Sequence, residues 1–266
     1  MDKRDFSGAW DRCRAVLRLL RNCRPSSMRG IPQYKLLVGT FHKSGTVLMQ
    51  SIWAQACRSM GIAIWTMNRH SKPPNPNWQV AFHYDSEFGD LPLQHLHRGL
   101  IVIRDPRDLL ISGMHYHRKS QELWLHQKKR EFGGVSYQEK INSFKSDEDR
   151  MLFEMDNTGG RTIARMIEAL KQYPDFYQAR LETLMTDRDL VEYEQIFCFL
   201  GFSGSALKDL LYTAKKNSAF NLQNIGGGHI RSGRPELWRT EFTPRVMDAF
   251  IARYGNLPVL LGYSAP

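Results

Sequence analysis

The chain has 266 residues, 42% of them hydrophobic, with 6 tryptophans and 14 phenylalanines; that is enough apolar material for one sizeable core, and it excludes a disordered chain. The 37 lysines and arginines against 27 aspartates and glutamates give a formal net charge of +10, a balance that suits an anionic partner. The basic residues are dispersed, with no block of five like charges, so specific positions rather than the total must carry any function.

In chain order, residues 1–33 come first. Trp10, Val16, Leu17, Leu19 and Leu20 lie among arginines there, the pattern of a basic amphipathic arm. The arm lacks the continuous apolar core of a signal peptide. It is expected to pack on the domain formed by residues 34–266, with a membrane-surface or targeting role as the alternative. Tyr34 to Gly39, "YKLLVG", is a short apolar run closed by glycine and predicts a buried strand, and Thr46 to Met60 has helical spacing. "GIAIW" predicts a second strand, "SKPPNPNW" a proline-rich turn, and "WQVAFH" (Trp78 to His83) a third strand ending on a histidine. "GLIVIR" (Gly99 to Arg104) is the strongest strand signal, followed by a helix opening with Asp105, Pro106 and Asp108.

Helical patterning runs from Ser146 to Tyr173, with a break expected at Gly159-Gly160. Phe176 to Glu182 predicts another strand, and "DRDLVEYEQIFCFLGF" an amphipathic helix closed by Gly201. Residues 226–242, "GGGHIRSGRPELWRTEF", predict a loop rich in glycine and arginine; a helix then starts at Thr243-Pro244 and ends at Gly255. Apolar strands alternating with helices imply a single α/β domain with a mainly parallel β-sheet flanked by helices.

The four cysteines, Cys13, Cys23, Cys57 and Cys198, form no C-x-x-C pair and no short-spaced histidine cluster. That argues for reduced thiols and against a zinc site, and no metal is expected. No apolar run is long enough to cross a bilayer, and a cytoplasmic protein is expected.

In a parallel sheet, ligands bind beyond the carboxyl ends of the strands. Lys43, His83 and Arg104 each follow or end a predicted strand, so all three are expected at one edge. The turn Lys43-Ser44-Gly45-Thr46 lies between a strand and a helix, where unpaired N–H groups and the helix dipole make an anion seat. Its lysine precedes the glycine, unlike the nucleotide-triphosphatase pattern G-x-x-x-x-G-K-[ST]. Arg104 and Ser112 could bind a second phosphate; alternatively Arg104 pairs with Asp105 or Asp108. Arg231, Gly233, Arg234 and Arg239 belong to a loop able to close over an anion, or to a solvated one.

Together these segments resemble the sulfotransferases that use 3′-phosphoadenosine-5′-phosphosulfate. "HKSGTVL" is similar to that family's P-K-S-G-T-T-W loop, "RDPRDLLIS" to its R-[ND]-P-x-D-x-x-x-S segment, and "RSGRPELWRTEFT" to its late R-K-G-x-x-G-D-W-K-x-x-F-T segment, in the family order. The resemblance implies a P-loop NTPase-like topology. It implies that Lys43, Ser44, Gly45, Thr46 and Val47 hold the 5′ side of the donor, that Arg104 and Ser112 hold its 3′-phosphate, and that Arg231, Ser232 and Gly233 close on it. It implies His83 as general base toward an acceptor, with Lys43 assisting the leaving phosphate, and Asp85 or Glu87 as a substitute base or a group orienting the ring.

Several positions depart from the pattern. Val47 and Leu48 replace a threonine and the tryptophan that stacks on adenine, leaving Phe220 as the candidate stacking partner. Phe82 stands where many members have a lysine, Ser232 replaces a lysine, and Glu236 and Leu237 replace a glycine and an aspartate. His42 stands at the usual proline and is expected to be loop structure. His115 and His117 lie near the site with no role readable from their spacing. The segment from Lys119 to Asp149 is expected to line or cover the acceptor side, and Trp65, Trp78 and Trp124 are candidates for an acceptor wall or for core.

The expected activity is sulfonate transfer to a hydroxyl, or an amine, of a small-molecule, lipid or carbohydrate acceptor, with no nucleic-acid partner. The alternatives are a nucleotide kinase using Mg²⁺, or a non-enzymatic module binding anions or nucleic acid.

Overall fold

Each apolar run read as a strand lies in one sheet, because strands buried on both faces need no polar alternation. The computed structural model describes residues 29–67, 77–89, 91, 97–218 and 234–265. Five strands, β1 (Lys35–Gly39), β2 (Ile64–Met67), β3 (Val80–His83), β4 (His97–Ile103) and β5 (Tyr177–Arg180), pair in the order β2-β3-β1-β4-β5. Every pairing is parallel; Gly39 registers with His83 on one side and Ile101 on the other.

The connecting helices are α1 (Thr46–Met60), α2 (Pro106–His117), α3 (Leu123–His126), α4 (Tyr137–Ser143), α5 (Asp147–Asp156) and α6 (Thr158–Gln172). After β5 come α7 (Leu181–Thr186), α8 (Val191–Phe199), α9 (Gly204–Asn217), α10 (Trp238–Glu241), α11 (Pro244–Tyr254) and α12 (Leu257–Leu260).

Successive side chains of a strand point to opposite faces, and the core divides accordingly. Leu36, Val38, Val80, Phe82, Leu100 and Val102 face α1, α8 and α9, where Trp53, Phe197 and Leu210 complete a layer. Leu37, Ala81, Ile101 and Ile103 face Met166 and Ala169 of α6, with Phe41 and Phe88. A third cluster joins α2, α4, α5 and α11 through Leu110, Met114, Tyr137, Met155 and Phe250. It positions α2, the helix that follows Arg104.

Four expectations need correcting in detail. The strand expected over "GIAIW" begins at Ile64 and runs on to Met67. The helical stretch after Ser146 breaks at Asn157, not at the glycines. Gly159 and Gly160 instead lie in the first turn of α6, where an added Cβ would come within 2.5 Å of Leu110 Cδ2 and 2.1 Å of the Met155 carbonyl oxygen. They serve close helix packing, which hydropathy periodicity does not register. The late loop ends earlier than expected because residues 238–241 form α10. Helix α9 has no counterpart among the expected elements, although Ala206, Leu210, Thr213 and Ala214 form its buried stripe.

Residues 1–28 of the expected arm lie outside the described residues. Its last residues are tied down: the carbonyls of Arg29 and Gly30 accept from the N–H groups of Ala206 and Ser203. Cys57 and Cys198 are free thiols. No helix among the described residues is long and apolar enough to cross a membrane.

Candidate active site at the carboxyl edge of the sheet

Because all strands run the same way, the ends of β1, β3 and β4 lie side by side, and Lys43, His83 and Arg104 share that edge, as the strand pattern predicts. The loop after β1 is held by its own side chains. Ser44 is fully buried; its hydroxyl accepts from the Phe41 N–H at 2.6 Å and donates to the Phe41 carbonyl at 2.9 Å. Thr46 Oγ1 also donates to that carbonyl, at 3.0 Å, and meets Thr40 Oγ1 at 3.0 Å. Both hydroxyls therefore shape the loop.

What the loop could offer an anion is its backbone N–H groups. Lys43 and Gly45 have left-handed φ values of 63° and 89°, the kind of local turn that aims successive N–H groups at one point. The first bond of α1 runs from Met49 N–H to the Gly45 carbonyl, so the preceding N–H groups have no intrahelical acceptor. No acidic residue lies in the first turn. Gly45 is required twice over: its φ is one that L side chains avoid, and a Cβ there would lie 2.6 Å from Leu181 Cδ1. Val47, on the first turn, is 49% exposed and available to a ligand.

Arg104 joins this loop directly. Its Nη1 donates to the Lys43 carbonyl oxygen at 2.9 Å, so the two segments expected to bind opposite ends of one nucleotide touch each other. Neither alternative partner is taken up by Arg104 in a hydrogen bond. Asp105 is engaged by Arg107, whose Nε and Nη2 donate to it at 2.9 and 2.7 Å. Asp108 accepts from the backbone N–H groups of Glu236 and Trp238 at 2.7 and 3.0 Å. Those two bonds fix where the late segment rejoins the fold, beside the first turn of α2. Ser112 lies two turns along α2 and is half-buried. Phe220, Arg231, Ser232 and Gly233 lie outside the described residues.

Charge in the site is crowded. Burial, and then the like charge of Arg104, bring the Lys43 ammonium down to about 8, and its Nζ sits 3.6 Å from the centre of the Tyr116 ring. Arg104 is also lowered by burial, against the opposing influence of Glu182 and Asp108. An entering polyanion would relieve the mutual repulsion of these cations.

His83 is at the expected strand end but in an unexpected state. The residue is 3% exposed, and Nδ1 accepts from the backbone N–H groups of Asp85 and Glu87 at 3.0 and 3.2 Å. Those donors hold the lone pair on Nδ1, so the neutral ring carries its proton on Nε2. A base must offer a lone pair to the acceptor, and this ring's is committed to the turn. The carboxylates expected to orient it turn elsewhere: Asp85 pairs with Arg165 at 3.1 Å, and Glu87 lies 3.9 Å from the same guanidinium.

A second histidine site, unreadable from spacing, stands beside Lys43. His42 Nε2 lies 2.8 Å from His117 Nε2, and His117 Nδ1 lies 2.9 Å from Glu154 Oε2. His42 thus ties the loop to the end of α2. His115, by contrast, points to Glu241 at 3.0 Å. The segment from Lys119 to Asp149 contributes Trp124, whose ring centre is 5.2 Å from that of His117. Trp65 and Trp78 pack against each other in the core and form no acceptor wall.

No protein-family model matches the chain, and no curated protein matches it. Solved structures do. A crystal structure of mouse sulfotransferase SULT7A1 complexed with PAP superposes with a TM-score of 0.57 at 15% identity, covering 86% of this chain and 87% of that one. The chain shares the sulfotransferase fold. A retinol dehydratase structure in complex with androsterone and inactive cofactor PAP is similar at a TM-score of 0.48 and 15% identity, over 95% of this chain and 87% of that one.

Proposed function

We propose that the chain is a sulfotransferase that takes its sulfonate from 3′-phosphoadenosine-5′-phosphosulfate and delivers it to a hydroxyl, or an amine, of a small-molecule, lipid or carbohydrate acceptor. The observation carrying this reading is the bond from Arg104 to the Lys43 carbonyl. It places a guanidinium against a strand-to-helix anion seat, as a nucleotide with phosphate at two ends needs. In this reading the N–H groups of Gly45, Thr46 and Val47 hold the 5′ side and Lys43 offsets charge on the leaving phosphate. Arg104 and Ser112 hold the 3′-phosphate, and Arg231, Ser232 and Gly233, with Phe220 against the base, complete the donor site. The fold shared with mouse SULT7A1, whose crystal structure holds PAP, supports the same assignment.

The test is a thermal shift with adenosine 3′,5′-bisphosphate against ATP with Mg²⁺, followed by transfer of labelled sulfonate to phenol, alcohol, amine and sugar acceptors and to water. Stabilisation by the bisphosphate, with transfer to one of these, is expected. Stabilisation by ATP and Mg²⁺ alone would replace this reading by a kinase.

A further inference from the structure

Three side chains from three elements meet beside Lys43, and together they can move a proton. His42 precedes Lys43 in the loop, His117 ends α2, and Glu154 lies in α5. His42 is half-buried, whereas His117 and Glu154 are fully buried. The planes of the two imidazoles differ by only 5°, and their centres are 4.9 Å apart. Two ring radii and the 2.8 Å between the Nε2 atoms nearly fill that separation. The rings therefore meet edge to edge in one plane and share a proton between nitrogens. They do not stack, and 2.8 Å leaves no room for a metal ion, which needs about 2 Å to each nitrogen.

With both rings uncharged, the proton order follows from the far end. Burial and the neighbouring Glu154 push the Tyr137 hydroxyl up, so it stays protonated and donates to Glu154 Oε2 at 2.8 Å. His117 Nδ1 reaches the same oxygen at 2.9 Å, and a carboxylate takes both bonds as an acceptor. Neutral His117 then carries its proton on Nδ1 and leaves Nε2 bare. Nε2 accepts from His42 Nε2–H, and the remaining lone pair of the chain lies on His42 Nδ1. Room for the carboxylate comes from Gly113, where an added Cβ would stand 2.7 Å from Glu154 Oε1.

We propose that His42 Nδ1 takes the proton of the sulfonate acceptor and that His117 and Glu154 relay the charge inward; this rests on the sulfotransferase reading. The acceptor's O–H proton passes to His42 Nδ1 while the oxygen's electron pair forms the new O–S bond. The S–O bond to the donor's 5′-phosphate breaks, and its pair leaves on that phosphate oxygen beside Lys43. His42 then gives its Nε2 proton to His117 Nε2. The positive charge ends on His117 against the Glu154 carboxylate, away from the ammonium of Lys43. His42 is the proposed catalytic residue; His117 and Glu154 are positioning residues that act through it.

The groups facing His42 are Lys43 on its own loop, Tyr116 and His117 of α2, and Trp124 of α3, with Glu122 just before α3 and Tyr137 and Glu154 behind His117. Burial, then His117, then Lys43 hold His42 well below the usual histidine range, so His42 is uncharged at neutral pH.

The experiment uses the full chain and the acceptor found in the labelled-sulfonate screen. His42→Gln should lower kcat by about 10²–10⁴-fold, keep the Kd for adenosine 3′,5′-bisphosphate within about twofold, and regain part of the rate with added imidazole. His117→Gln should lower kcat while leaving the acceptor KM and the Kd for adenosine 3′,5′-bisphosphate unchanged. Long-range ¹H–¹⁵N spectra of the unmutated protein should show His42 Nδ1 unprotonated at neutral pH. A protonated Nδ1 there, or wild-type kcat in His42→Gln, overturns the relay even where the bisphosphate binds and transfer proceeds. Wild-type protein that neither binds the bisphosphate nor transfers sulfonate overturns the sulfotransferase reading itself, and the catalytic role of the relay with it.

Discussion

Arg104→Ala separates donor recognition from folding. The substitution removes a charge-assisted hydrogen bond to the Lys43 carbonyl, 2.9 Å long, a loss of roughly 1.5–3 kcal/mol in stability. It does not strand the neighbouring acids. Glu182 keeps the Asp105 N–H and the Tyr263 hydroxyl, each at 3.0 Å, and Asp108 keeps the N–H groups of Glu236 and Trp238. The fold should survive with a lowered Tm. In the donor complex the same guanidinium is assigned a phosphate, a contact of about 1.4–3 kcal/mol, or roughly 10- to 150-fold in affinity. Calorimetric titration with adenosine 3′,5′-bisphosphate should show that loss, and the donor KM should rise in step while the acceptor KM holds. Because Arg104 depresses Lys43, the variant should also move the Lys43 titration upward. An unchanged bisphosphate affinity in a folded variant would refute the assignment of Arg104 to the donor.

Individual contacts predict further outcomes. Lys43 deprotonates near pH 8 in the free protein; since the charged form binds the anion, kcat/KM for the donor should fall as pH rises through that value, and Lys43→Arg should remove the limb, read from a pH–rate profile. Gly45→Ala imposes a left-handed backbone and a Cβ 2.6 Å from Leu181 Cδ1, so roughly 1–3 kcal/mol of stability should be lost with donor binding, measured by urea unfolding. Asp105→Ala leaves Arg107, fully buried, without its bidentate carboxylate, and about 3–5 kcal/mol of destabilisation is expected by the same measurement. His83→Ala removes the acceptor of two backbone N–H groups. It should cost roughly 1–3 kcal/mol of stability, and a variant of wild-type Tm would show that the turn does not need the ring.

The amino-acid sequence by itself determined the sheet and the edge where the site lies, because both depend on local patterns. Apolar runs such as Leu36–Val38 and Leu100–Ile103, short and bounded by turn residues, read as strands buried on both faces. Parallel strands then bring Lys43, His83 and Arg104 to one side whatever the details of packing. The Lys43–Thr46 turn and the Arg104–Ser112 segment are contiguous in the chain, so their spacing was legible as motif. Side-chain pairing across distant segments was not. His42 and His117 are 75 residues apart and His117 and Glu154 37 apart, and no periodicity links them. Only the packing of α2 on α5, with Gly113 leaving space for the carboxylate, puts the three in line. The tautomer of His83 was equally hidden, since it depends on where the backbone N–H groups of Asp85 and Glu87 point after the strand ends. Local physics set which residues could reach the site; which lone pair is available there was decided by tertiary contacts, because a hydrogen bond depends on distance and angle that chain order does not encode.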